Sequence, residues 1–423
     1  MTSDPLELAD RLLSGESDPS DHTGLLLGDS TLSEITDGVA FVRSFGNVTA
    51  LSDAGDLALI DAGGPIHSRQ VHDEIRRWTA DPLRTAVYTH GHVDHVAVVP
   101  LFEADGDVVE VVAHTRVDDR FDRYQLTHGY NGVINQRQFQ LAEPLFPDRF
   151  RRPDRTYDDA TTVQAGGLEV QLRHDRGETD DHTWAWIPDR SVLCTGDLFI
   201  WAGPNCGNPQ KAQRYPAEWA AALRTMADLD AEFLLPGHGL PIAGADQIRR
   251  VLTTSAEWLD SLLDQTLALM NVGATLDDCI HTVRVPDHLL DLPWLQPSYD
   301  DPEFVVHNIW RLYGGWYDGD PSSLKPAPRS ALAAELAARA GGPNVLADRA
   351  AELAASGDLR LAGHLAEFAM QAAPDDAAVR GVRAEVNRAR VAAETSVMAR
   401  GIFSWAAHQA EQPVDEGGTG GER

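Results

Sequence analysis

Between about residues 38 and 61 the chain runs GVAFVRSF, NVTALSD and DLALIDAGG, short apolar stretches separated by Gly, Asn and Asp. Runs of this length bounded by turn formers predict strands. An amphipathic helix is predicted over 66 to 79, followed by the strand TAVYTH. Further strands are predicted at VVEVVA, LEVQLRH, HTWAWIP, RSVLCTG and EFLLPG, with helices near 115 to 127 and 216 to 229. Alternating strands and helices with hairpins imply an α/β layered domain whose loops gather at strand ends. Past residue 245 the pattern changes. Ile248, Val251, Leu252, Trp258, Leu259, Leu262, Leu263, Leu267 and Met270 recur at helical spacing and predict one long amphipathic helix. After a Pro-rich break, GDPSSLKPAPRS, an Ala-rich segment has the helix, turn, helix rhythm of tetratricopeptide-like hairpins, which bury their apolar faces only against neighbours. The tail EQPVDEGGTGGER is polar and Gly-rich and is expected to be disordered.

Composition narrows the function classes. Of 423 residues, 65 are acidic and 35 basic, a formal net charge of −30 whose field repels nucleic acid and anionic membrane surfaces. The first residues, MTSDPLELADRLLSGESDPSDH, lack the basic and apolar regions of a signal peptide, so a cytoplasmic location is expected. Cys194, Cys206 and Cys279 fit neither a disulfide framework nor a metal knuckle and read as small core residues, with Cys206 the one close to candidate chemistry.

That chemistry centres on THGHVDH, residues 89 to 95. His90, His92, Asp94 and His95 leave a strand end on a tight turn, so their side chains can converge on one small volume. Imidazole and carboxylate together suit zinc, or iron and manganese. Three later strand ends offer one more donor each: Glu178 in RGETDDHT, Asp197 in TGDLF and His238 in PGHG. Taken singly, these are ordinary loop acids and a turn histidine. Together with the first cluster they suggest a dinuclear site.

These four segments, in this order and each after a strand, resemble the metallo-β-lactamase fold superfamily, an αββα sandwich with two metals on its edge. The resemblance covers about residues 35 to 245. It implies that His90 and His92 hold one metal, that Asp94, His95 and His238 hold the other, and that Asp197 bridges them. It gives Asp61, which ends LALIDAGG, a supporting role behind the metal loop. Most of the superfamily has a histidine where this chain has Glu178, and the alkyl sulfatase branch also has glutamate there. LLDQTLALMNVGATLDD, RLYGGWYDGDPSSLKPAP and the helical array resemble that branch too, the array resembling its dimerisation domain. His182 stands where the branch has a second acid, so it is a substitute ligand or a supporting residue; His174 is an alternative of lower weight.

The expected organisation is an N-terminal extension (1 to 34), a catalytic domain (35 to 245), a helical connection (246 to 325), an all-α dimerisation domain (326 to 410) and a tail (411 to 423). The implied activity is metal-dependent hydrolysis of an alkyl sulfate ester, a small molecule with an apolar part, by a homodimer that holds two divalent ions. A metal-bridging hydroxide would be the nucleophile, with Asp94 and Asp197 the catalytic carboxylates. Formally, two dications (+4) are cancelled by Asp94, Asp197, Glu178 and hydroxide (−4), so a sulfate ester needs further cations nearby. Asn205 matches the branch's sulfate-binding asparagine. The matching arginine position falls at Gln210 or Lys211, and Arg214 matches a second arginine. Tyr130 is a candidate on a covering loop, with Tyr124 and Arg137 near it, and Trp201 is a candidate pocket wall. Two other readings stand beside this one: a hydrolase of a carboxylic ester, lactone, thioester or phosphoester, and a helical assembly protein with a structural metal site.

Overall fold

The computed structural model describes residues 4–18 and 25–412. The chain forms two compact units, one of residues 1–128 and 146–316, the other of 129–145 and 317–423. In the first unit, a seven-stranded sheet runs in chain order through β1 (Thr31–Thr36), β2 (Val39–Arg43), β3 (Val48–Asp53), β4 (Asp56–Ile60), β5 (Leu83–Val87), β6 (Glu110–His114) and β7 (Arg155–Tyr157). β1 to β4 form an antiparallel meander, and β4 to β7 pair in parallel. A six-stranded sheet contains β8 (Ala160–Ala165), β9 (Leu168–His174), β10 (Thr183–Ile187), β11 (Val192–Ile200), β12 (Phe233–His238) and β13 (Ile242–Ala243), again in sequential order.

The two-residue period of a strand explains the layering. Val39 and Phe41 of β2 point into a core shared with Val170, Leu172, Ala185 and Ile187 of the second sheet. Ala40 and Val42, the alternate positions, pack outward against Val71, Ile75 and Phe121 of covering helices. On the far face of the second sheet, Trp184, Leu193 and Leu234 meet Trp219, Leu223, Val251 and Leu259. Helices therefore cover both outer faces, an αββα sandwich with strands buried on both sides. The helix Ala245–Asn271 supplies the last of these layers, as its apolar spacing predicts. Trp201, expected at a pocket wall, is instead core. It is 1% exposed and its Nε1–H donates to the Leu240 carbonyl at 2.7 Å, because an indole with its one donor satisfied packs best where water is excluded.

The N-terminal stretch is not a bare extension: the helix Pro5–Ser14 buries Leu8, Leu12 and Leu13, and β1 is the edge strand of the first sheet. In the second unit the helices Arg329–Ala340, Pro343–Ala355, Leu359–Ala372, Ala377–Ala393 and Val397–Glu411 pack in sequence, with small residues at their contacts: Ala350, Ala362, Ala366 and Ala369 are buried. The expected disordered tail falls on residues 413 to 423, outside the described residues, although Glu411 still ends a helix. Among the described residues, no helix is long and apolar enough to cross a membrane.

Candidate metal centre

β5 stops at Val87, and the turn that follows carries four of the donors. Asp61, the residue after β4, adopts the left-handed conformation (φ 64°), which an aspartate tolerates better than most residues. That backbone turn aims its carboxylate at the metal loop. Oδ1 accepts the Thr89 backbone N–H at 2.8 Å, and Oδ2 accepts the Thr89 hydroxyl at 2.9 Å. The same Oδ2 lies 2.8 Å from His95 Nδ1, which fixes the ring with its Nε2 edge toward the site.

The other donors arrive from the second sheet. β11 is buried along its whole length, and its parallel register with β12 breaks around Gly196. At this irregularity Gly196 has φ 50°, and the Asp197 backbone N–H leaves the ladder to donate to His182 Nε2 at 3.0 Å. A side chain at Gly237, next to His238, would overlap Asp197 Oδ1. Asn47 fixes the His238 turn from the opposite sheet: its Nδ2 donates to the Pro236 and Gly239 carbonyls at 3.0 and 3.2 Å, and its backbone N–H to Gly237.

All seven expected donors meet. His90, His92, Glu178 and Asp197 form one group and Asp94, His95 and His238 a second, each with its donor atoms within 4.8 Å of one another. His90 Nε2 lies 2.8 Å from His92 Nδ1 and 3.5 Å from Glu178 Oε2, and His92 Nδ1 lies 3.1 Å from that same oxygen. His238 Nε2 lies 3.5 Å from Asp94 Oδ2. Asp197 stands between the groups, with Oδ1 3.4 Å from His95 Nε2 and Oδ2 3.3 Å from His238 Nε2 and 3.8 Å from His90 Nε2. His95 Nε2, Glu178 Oε2 and Asp197 Oδ1 are buried without hydrogen-bond partners among the described residues. Buried acceptors aimed at one another are costly in isolation and are satisfied by cations between them, so the residues present fit a two-metal centre. Burial pushes the Asp197 carboxyl up, but His238 and His95 outweigh it and hold the group well below the usual carboxylate range.

His182 belongs to neither group. Its ring stacks on His90 at 4.8 Å, and burial, against the pull of Asp197 and Glu178, holds it down to about 4, which keeps it neutral. His174 is also outside: its Nδ1–H donates to the His182 carbonyl, and its ring stacks on His114 at 3.6 Å.

The expected sulfate-binding groups are placed differently. Asn205 Nδ2 donates to Glu178 Oε1 at 2.6 Å, and Arg214 Nη1 sits 3.2 Å from that oxygen while also donating to the Glu178 carbonyl. Both side chains thus brace a metal-site carboxylate; a buried anion recruits the nearest donors, and Glu178 is 1% exposed. Burial alone would push the Glu178 carboxyl up, yet Arg214 and His92 hold it at about 2. Lys211 is half-buried and lies within electrostatic reach of Asp94 and Glu178; burial, then Arg214, lowers its ammonium to about 8. Tyr130 belongs to the second compact unit and is 63% exposed, while Tyr124 is core.

One support has no counterpart in the sequence reading. Asp181 is fully buried, and its Oδ2 accepts the Gly91 backbone N–H at 3.0 Å and Arg120 Nε at 2.8 Å, so a buried ion pair braces the turn between His90 and His92. The available signal was an acid three residues after Glu178, and only the fold pairs it with an arginine 61 positions earlier.

With this geometry in view, residues 42–238 match the metallo-beta-lactamase superfamily model and residues 275–412 the alkyl sulfatase dimerisation model. The chain thus carries one region similar to the metallo-beta-lactamase superfamily and, after it, one similar to the alkyl sulfatase dimerisation domain. It is 28% identical over 355 residues to a linear primary-alkylsulfatase of Pseudomonas sp. (strain ATCC 19151), covering 78% of this chain and 67% of the relative. It is 24% identical to an alkyl/aryl-sulfatase of Saccharomyces cerevisiae, covering 78% of this chain and 56% of that one. A further relative, a 2,4-dinitroanisole O-demethylase subunit alpha of Nocardioides sp. (strain JS1661), is 23% identical over 69% of this chain and 81% of its own length. Among solved structures, the stereoselective inverting sec-alkylsulfatase Pisa1 from Pseudomonas sp. superposes with a TM-score of 0.79 at 21% identity, over 90% of this chain and 66% of that one. The chain therefore spans between about half and two thirds of the length of the alkylsulfatases it matches.

Proposed function

We propose that this protein is a dinuclear metal-dependent hydrolase of alkyl sulfate esters. One observation carries the reading: seven donors in or just after four strands converge in two groups, with Asp197 between them. His90, His92, Glu178 and Asp197 would hold one ion, and Asp94, His95, His238 and Asp197 the other. Bound there, two divalent ions would act as Lewis acids and would acidify a bound water. Asp61 holds the His95 ring with Nε2 toward the site, and His182 fixes Asp197 through its backbone N–H. The mixture of imidazoles and carboxylates suits zinc, with iron or manganese the next choices. A homodimer through the helical unit, supported by the matched dimerisation domain, and a cytoplasmic location complete the reading.

The full chain, loaded with zinc and checked for two metals by atomic emission, should release inorganic sulfate from linear or secondary alkyl sulfates. Absence of release across a range of chain lengths, with both metals present, would sink the sulfatase reading. His92→Ala and Asp197→Ala should each lower metal content and abolish release; full metal content in both would overturn the ligand assignment. A second reading, hydrolysis of an uncharged ester or lactone, draws on the commitment of Asn205 and Arg214, the two groups expected to meet a sulfate, to Glu178 instead. Turnover of chromogenic carboxylic esters without sulfate release would favour it.

A further inference from the structure

In the group formed with His90 and His92, Glu178 places a carboxylate beside the two imidazoles. Each added anion weakens a metal centre's attraction for an anionic ester. The structure sets a cation directly behind it. Arg214 is 3% exposed, its Nη1 donates to the Glu178 carbonyl, and it lies 3.2 Å from Oε1, while Oε2 is the oxygen that faces His90 and His92. Arg214 is itself fixed from a distant segment. Asn308, in the helix Pro302–Gly314, accepts the Arg214 backbone N–H at 3.2 Å and donates to the Arg214 carbonyl at 3.1 Å. Asp300, just before that helix, accepts the Gly207 backbone N–H at 2.5 Å, two residues from Asn205, whose amide donates to the same Oε1. Two arms thus reach Glu178 from one helical segment, and one of them delivers a full positive charge.

We propose that Glu178 and Arg214 act as one charge-neutral unit, equivalent to a neutral imidazole, so that the carboxylate costs the centre none of its attraction for an anion. Arg214 is then a positioning and specificity-determining residue that acts through Glu178 rather than on the ester. This rests on the dinuclear centre proposed above. The two dications with Asp94, Asp197 and a hydroxide leave one net positive charge once the Glu178 and Arg214 pair counts as zero.

The test uses the full chain loaded with zinc, its metal content measured by atomic emission, and the dissociation constant for inorganic sulfate measured by calorimetry at low ionic strength. Arg214→Met removes one charge near the bound anion and should weaken sulfate binding by about tenfold or more while two metals remain. Arg214→Lys keeps the charge and should stay within about threefold of the parent. The double variant Glu178→His with Arg214→Met exchanges one neutral pair for another and should recover parental affinity within about threefold. Unchanged sulfate affinity in the metal-loaded Arg214→Met protein would overturn the proposal. So would a double variant that binds sulfate tenfold more weakly than the parent, and this second arm decides the matter if the single variant does not fold. A parent chain that holds fewer than two metals would instead overturn the dinuclear reading.

Discussion

At the scale of single residues, Asp61 shows how much a centre depends on groups that never touch the metal. Its carboxylate holds both the Thr89 end of the turn and the His95 ring, so removing it frees His95 to rotate. Asp61→Ala should weaken zinc binding by roughly 10- to 100-fold, read by competition with a chromogenic chelator. An unchanged affinity would show that His95 is oriented by packing alone. The candidate ligands were legible because four of them crowd into six positions, and each of the others lies in or soon after a recognisable strand. Their partners were not. Arg214 looks like a helix-start cation in sequence, and only its burial beside Glu178 converts it into a brace. Trp201 was misread for a related reason: an apolar residue near a strand end can wall a pocket or fill a core, and the choice rests on which elements cover it.

At the scale of elements, strands with continuous apolar runs or clean alternation, such as β2, β4, β9 and β11, stand out in the sequence because both faces or one whole face is buried. β7 and β8 escaped notice because RTY and ATTVQA are largely exposed and carry little apolar signal. The tie between the two sheets was equally hidden, since Asn47 and Pro236 lie 189 positions apart. That tie makes a specific claim about how the second donor group is assembled. Asn47 spends its amide on two carbonyls beside His238 and on the Ser44 backbone N–H, so Asn47→Leu removes all three buried hydrogen bonds. The variant should lose roughly 3 to 6 kcal/mol of stability by denaturant unfolding, at about 1 to 2 kcal/mol per orphaned group. It should also bind a second zinc more weakly, while the ion proposed for His90, His92 and Glu178 changes little. Equal weakening of both would mean that the turn is not an independent support.

At the scale of the whole first unit, the metal centre and the helical segment around residue 300 are joined through a buried acid whose ionisation feeds back on folding. Burial pushes the Asp300 carboxyl up to about 7, against the N–H groups of Gly207 and Asp301 and the charge of Arg214, which pull it down. Unfolded, the same carboxyl titrates near the ordinary aspartate value of 3.8. Between these values the folded chain keeps a proton that the unfolded chain has released, so the native state binds more protons and stability falls as pH rises. The loss begins above about pH 4 and is complete once pH passes the folded value near 7. Asp300→Asn keeps an oxygen for the Gly207 N–H and removes the ionisation. With chelator present in both samples, so that metal binding does not titrate, parent and variant should differ least in stability near pH 4, where the loss begins. At pH 8 the variant should be the more stable, by on the order of a few kcal/mol. A difference between the two proteins that stays the same from pH 4 to pH 8 would show that Asp300 ionises as freely in the folded chain as in the unfolded one. In that case the loop bearing Asn205 would be held by packing rather than by a protonated carboxyl.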